Sequence, residues 1–144
     1  MLEYEMYFEI KTLCEEYYSK RKMEHAKAVE KYTMQDTRYA LLSAGDKWTI
    51  RAIALAHDLL EDTDCTYEDI KTISCYIAES VLILTHYVKN MSYYDYCSNI
   101  IESGNYFAVI VKTADLKDHL TRKKTLSEKL QKKYAAVIPM FLKA

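Results

Sequence analysis

The sequence predicts an all-α domain, and two observations carry that prediction. Only two glycines (Gly45, Gly104) and one proline (Pro139) punctuate 144 residues, too few turn residues for a sheet protein. Apolar residues also recur at three- and four-residue steps, the period of helices with one buried face. Half of the residues are apolar, enough for a hydrophobic core, and the length suits a single domain spanning residues 1–144. No repeat, low-complexity tract or linker divides the chain.

Leu2, Met6, Ile10, Leu13 and Tyr17 predict a first helix over about residues 2–20. Ala26, Val29, Tyr32 and Thr33 predict a second over about 23–34, carrying His25. A short third helix over 38–44 is expected to end at Gly45 in a left-handed cap. Asp46 then caps a helix running to about Asp62. Asp64 or Thr66 caps a short helix through Ile70, and Ser74 to Tyr87 follows with Ile77, Val81, Ile83 and Leu84 as its apolar positions. Ser92 opens a helix that Gly104 ends. Residues 106–120 read as a second strongly buried helix. Val109-Ile110-Val111 alone would suit a strand, but the segment runs on in helical pattern without a turn signal. After the basic stretch Arg122-Lys123-Lys124, one or two terminal helices end at Phe141.

The stretch Ala56-His57-Asp58-Leu59-Leu60-Glu61-Asp62-Thr63 concentrates an imidazole and three carboxylates within an otherwise apolar segment. On a helical period, positions 57, 58, 61 and 62 share one stripe. Burying ionised carboxylates without a partner is costly, and a divalent cation is the simplest partner. His25, His57, Asp58 and Asp115 supply imidazole nitrogen and carboxylate oxygen, a borderline donor set suited to zinc, manganese or iron. Each residue alone has a plainer reading. The stripe could be a solvated helix face, His25 a surface histidine, and Asp115 a cap or ion-pair acid. Lys112 could pair with a carboxylate or face a substrate phosphate. Lys20, Arg21 and Lys22 could be a solvated turn or, beside His25, contact substrate. His86 reads as surface or helix-end structure, and Tyr93, Tyr94 and Tyr96 as core or pocket wall, with one of them stacking on a base as the alternative.

The remaining totals exclude several classes. A net charge of −1 is no nucleic-acid footprint. Cys14, Cys65, Cys75 and Cys97 form no zinc-type pair, which reads as reduced thiols in a cytoplasmic protein. The acidic start Met1-Leu2-Glu3-Tyr4-Glu5 lacks a signal-peptide pattern, and no apolar run is long enough for a membrane span.

His25…His57-Asp58…Asp115 resembles the H…HD…D motif of the HD superfamily of metal-dependent phosphohydrolases. His57-Asp58-Leu59-Leu60-Glu61-Asp62-Thr63 is similar to the narrower HDxxEDT motif of the alarmone hydrolase domain of the RelA/SpoT family and of stand-alone small alarmone hydrolases. Val111-Lys112-Thr113-Ala114-Asp115-Leu116 resembles that family's VKLADL segment, and Thr85, Tyr93, Tyr94 and Tyr96 its "LT…YxxY" region. The resemblance covers roughly residues 20–120 and implies an HD-type helical bundle with a central divalent metal. It implies a hydrolase that releases pyrophosphate from the 3′ position of guanosine tetraphosphate, with Mn²⁺ as the ion and Zn²⁺ or Fe²⁺ as alternatives. His25, His57, Asp58 and Asp115 would hold the ion, and Glu61 and Asp62 would position and activate the attacking water. Arg21, Lys22, Lys112 and His119 would contact the substrate.

Two departures stand out. The family carries a glycine- and proline-containing basic loop before its first metal histidine, where this chain reads Ser19-Lys20-Arg21-Lys22-Met23-Glu24-His25. That loop helps hold guanine, so base selectivity does not carry over. The family usually has asparagine four residues after the metal aspartate, where this chain has His119. The gap between His25 and His57 is also longer than in most relatives. The expected partner is a small nucleotide, with neither nucleic acid nor membrane, and the chain ending at Ala144 is expected to act as a stand-alone hydrolase. Two alternatives remain open: an HD-type nucleotidase acting on nucleoside phosphates, and a metal-binding regulatory protein with little turnover.

Overall fold

The computed structural model describes residues 1–122 and 126–144, and Lys123 and Lys124 of the basic stretch lie outside the described residues. The described residues form helices and connecting turns with no strand among them: α1 (Glu3–Tyr17), α2 (Lys20–Gln35), a 3-10 turn (Tyr39–Leu41), α3 (Ala44–Ala56), α4 (Leu59–Asp62), α5 (Tyr67–Lys71), α6 (Cys75–Ile83), α7 (Tyr93–Glu102), α8 (Tyr106–Thr121) and α9 (Glu128–Lys143). The all-α expectation holds. None of these helices is long and apolar enough to cross a membrane.

Side-chain caps start most of them. Ser19, Ser43, Thr66, Ser74, Ser92, Asn105 and Ser127 each accept a hydrogen bond from a first-turn backbone N–H, satisfying a donor that the helix geometry orphans. Ser19 moves the first boundary: α1 stops at Tyr17, and Lys20 to Glu24 form the opening turn of α2. The expected helix over 38–44 is only the 3-10 turn. Gly45 is not a left-handed cap but lies in the first turn of α3, because Ser43 caps that helix instead of Asp46. Among the described residues only Gly104 has positive φ, at 74°, and it closes α7 as expected. α6 ends at Ile83, short of Tyr87. A single helix, α9, takes the place of the one or two expected at the end.

α8 is the axis of the bundle. Residues from Ala108 to Leu116 are buried, including Lys112, Thr113 and Asp115, and α2, α3, α6, α7 and α9 all pack against it. Ile110, Val111 and Leu116 are fully enclosed, each worth about 1.5–3 kcal/mol relative to exposure. Its polar groups are partnered: Thr113 Oγ1 donates to Val109 O (2.8 Å) and receives Arg38 Nη2 (3.2 Å). α3 is sandwiched between α1 and α2 and also meets α8. The mutual packing of α2, α3 and α8 brings three distant parts of the chain to one point.

Candidate metal centre

The continuous helix expected over 46–62 is broken at His57–Asp58, and the break builds the site. In an unbroken helix the carbonyls of Ala54 and Leu55 would accept from residues 58 and 59. Here His57 Nδ1 donates to Ala54 O at 2.7 Å. The Tyr18 hydroxyl donates to Leu55 O at 2.7 Å and accepts Asp58 N–H at 3.2 Å. Asp58 sits at φ −101°, ψ 1°, the bridge region between helix and strand. Adjacent residues on a helix diverge by about 100°. The break turns the Asp58 carboxylate toward His57, with Oδ2 3.3 Å from His57 Nε2.

His25 from α2 and Asp115 from α8 complete the cluster. Asp115 Oδ1 lies 3.0 Å from His25 Nε2 and 3.4 Å from His57 Nε2, and His25 Nε2 lies 3.5 Å from Asp58 Oδ2. These four residues are brought together as expected from the sequence. Two donors about 2.1 Å from one ion stand about 3.0 Å apart at a right angle and about 3.4 Å apart at the tetrahedral angle. Three of the four separations fall in that range, and the fourth, at 3.5 Å, lies just above it. His57 Nε2 is buried, makes no hydrogen bond, and is aimed between two carboxylates by the bond at its other nitrogen. A divalent cation fits such an atom, and the His/Asp groups here could hold one.

The electrostatics point the same way. Burial pulls the His57 pKa down, but the facing carboxylates of Asp58 and Asp115 outweigh it and hold the pKa well above its ordinary value. Burial pushes the Asp58 carboxyl up, yet the neighbouring imidazoles, His57 foremost, bring it down to about 2. Asp115 is also held well below the usual range. Against its burial act Lys112, whose Nζ lies 2.9 Å from Oδ2, and the surrounding histidines. The carboxylates of the cluster therefore favour positive charge beside them.

Beside the cluster opens a cavity of about 250 Å³. Glu61 and Asp62, on the single turn of α4, stand on its wall. Glu61 Oε1 accepts the His86 backbone N–H at 2.8 Å, and Asp62 Oδ2 receives Lys22 Nζ at 2.7 Å. Lys22, Lys112 and His119 also line the cavity, although the ammonium of Lys112 is engaged by Asp115 and lies over the Tyr93 and Tyr96 rings. Arg21 is exposed and does not line the cavity. One helical step from Lys22, it faces away from the site.

Four lining or supporting residues escaped the sequence reading. Asp118 Oδ2 stands 2.7 Å from His25 Nδ1 and is buried; its place three residues after Asp115, on the same helical face, was the available signal. His86 stacks on Tyr96 with ring centroids 4.6 Å apart, and its Nε2 lies 3.0 Å from Met91 O. Lys133 and Tyr134 reach the cavity from α9, where nothing in local sequence announces a site. Tyr134 stacks on His119 at 4.6 Å with planes 13° apart. Tyr93 and Tyr96 form wall, one of the readings open for them. No family model matches the chain, and comparison with curated proteins and with solved structures returns no match.

Proposed function

We propose that the protein is a metal-dependent phosphohydrolase of the HD type acting on a small nucleotide, with the 3′-pyrophosphate of guanosine tetraphosphate as its leading substrate and a divalent transition-metal ion as its cofactor. The observation that carries this reading is the convergence of His25, Asp58 and Asp115 on the buried His57 Nε2, which faces two carboxylates without a hydrogen bond, beside a cavity walled by both acids and lysines. His25, His57, Asp58 and Asp115 hold the ion. A divalent ion in such a site supplies Lewis acidity, acidifying water and offsetting phosphoryl charge.

The chain's own groups divide the remaining work. Glu61 takes the proton of the attacking water. Its Oε1 is steadied by His86 N–H, which is the one hydrogen bond it makes among the described residues, so Oε2 is left to accept. Asp62, engaged by Lys22, orients rather than accepts. Lys22 and Lys133 stand where phosphate oxygens would meet positive charge, and the Tyr93, Tyr96 and Tyr134 rings narrow the cavity and exclude water.

A second reading, a nucleotidase of the same type without guanine selectivity, is favoured by one feature. Ser19 caps α2 directly, so Lys20 to Glu24 form helix where the alarmone hydrolases have their guanine loop. A substrate panel with Mn²⁺ separates the two. Pyrophosphate released from guanosine tetraphosphate supports the first, and orthophosphate from nucleoside monophosphates supports the second. Metal retention with no turnover on any nucleotide would overturn both in favour of a regulatory metal protein.

A further inference from the structure

We propose that His119 is a fifth protein donor to the cation, so that the site consists of three imidazoles and two carboxylates and prefers Fe²⁺, Co²⁺ or Zn²⁺ to Mn²⁺. This rests on the reading that the His/Asp cluster holds a divalent ion. It deepens that reading by saying which ion the site selects.

The argument begins with one oxygen. Asp115 Oδ1 has three imidazole nitrogens around it: His25 Nε2 at 3.0 Å, His119 Nε2 at 3.3 Å and His57 Nε2 at 3.4 Å. His119 Nε2 is as close to this oxygen as His57 Nε2 is. His119 follows Asp115 by four residues on α8, so both side chains rise from one helical face, the spacing by which helices present paired metal donors. His25, Asp115 and His119 can offer their ligand atoms within 4.8 Å of one another.

A simple ion pair between His119 and Asp115 accounts poorly for this. Asp115 carries one negative charge, and its Oδ2 is already taken by Lys112 Nζ at 2.9 Å. The ring of His119 is also held in place. It lies flat on Tyr134 from α9, and its centroid is 5.0 Å from that of His25. A histidine near the exposed end of α8 would otherwise turn to water.

Metal preference follows from donor type. Carboxylate oxygens suit manganese, and each added imidazole shifts a site toward iron, cobalt, nickel and zinc. An asparagine at position 119 would supply no imidazole nitrogen.

The test uses the full chain stripped of metal, with His119→Asn and His119→Gln beside the wild type and circular dichroism to confirm that each is folded. Co²⁺ and Mn²⁺ are titrated in competition, and the visible absorption of bound Co²⁺ is recorded. Both variants should lose Co²⁺ affinity by about tenfold or more, with a changed cobalt spectrum, while Mn²⁺ affinity falls less. In the wild type, pulsed electron paramagnetic resonance of bound Mn²⁺ should count three coordinated imidazole nitrogens. Two nitrogens, or variants with unchanged cobalt spectrum and unchanged metal ratio, would overturn the role of His119 while leaving the metal centre standing. A wild type that takes up neither ion would remove the metal centre and this inference together.

Discussion

Asp118 holds His25 from behind: its Oδ2 accepts the Nδ1 proton at 2.7 Å, which leaves Nε2 facing Asp115. Arg122 Nε steadies the same carboxylate oxygen at 3.0 Å. Carboxylates placed behind metal histidines fix the tautomer and the ring orientation, and their loss weakens metal binding by about 10–100-fold. Asp118→Asn should therefore lower Mn²⁺ affinity by that factor while the helical circular dichroism is retained. Equilibrium dialysis against the metal checks it, and an unchanged affinity would mean that the contact only packs α2 on α8.

Glu61 and Asp62 should separate in mutant kinetics. Glu61→Gln is expected to keep the metal and lose turnover by about 10²–10⁴-fold, the usual worth of a positioned base. Asp62→Asn should lose less, since its carboxylate is already engaged by Lys22. Asp115→Ala should lose the metal itself. Metal content and kcat measured on the same preparations distinguish these outcomes, and a fully active Glu61→Gln would refute the proton-accepting role.

Acidity should act on the metal-stripped protein from both sides. His57 is raised above 6.5, so its contribution to stability is complete below that pH and is lost as pH rises through the raised value. Asp58 is lowered from 3.8 to about 2, so its contribution is complete above 3.8 and is lost as pH falls toward 2. The melting temperature of the stripped protein should be highest between those limits. Binding of a cation must displace the His57 proton, so metal affinity should rise about tenfold per pH unit until His57 is neutral. Calorimetry in buffers of different ionisation heat would count that proton, and a pH-independent affinity would contradict the assignment.

The two glycines should respond differently to alanine. Gly104 has φ 74° with open space around it, so Gly104→Ala should cost about 1–2 kcal/mol through backbone strain alone. At Gly45 an added Cβ would meet Glu3 Oε1 at 2.9 Å, the movable end of an exposed side chain, and helix propensity favours alanine. Gly45→Ala should stay within about 0.5 kcal/mol of the parent. Chemical denaturation of both variants provides the comparison.

Much of this architecture could be read from residue order. The apolar spacing locates the helices, and Val109-Ile110-Val111 reads as helix, as α8 shows it, because no turn signal flanks the segment and the helical pattern continues. His57 and Asp58 stand out as unusual in an apolar setting, whereas His25 and Asp115 are picked out only by their order along the chain relative to that pair. The break between α3 and α4 is not legible, because neither glycine nor proline marks it: a hydroxyl from Tyr18 and the ring of His57 replace the helical partners of Leu55 and Ala54. Gly45 misled for the converse reason, since Ser43 could cap α3 and no turn was needed. Lys133, Tyr134 and His86 became visible only through tertiary approach, which no periodicity encodes.

The Tyr18 hydroxyl, forty positions upstream of Asp58, has a consequence for how damage at a distance would be felt. The aim of Asp58 is set by a phenol at the junction of α1 and α2. A lesion there would reach the Asp58 carboxylate through the backbone while also loosening the core around Tyr18.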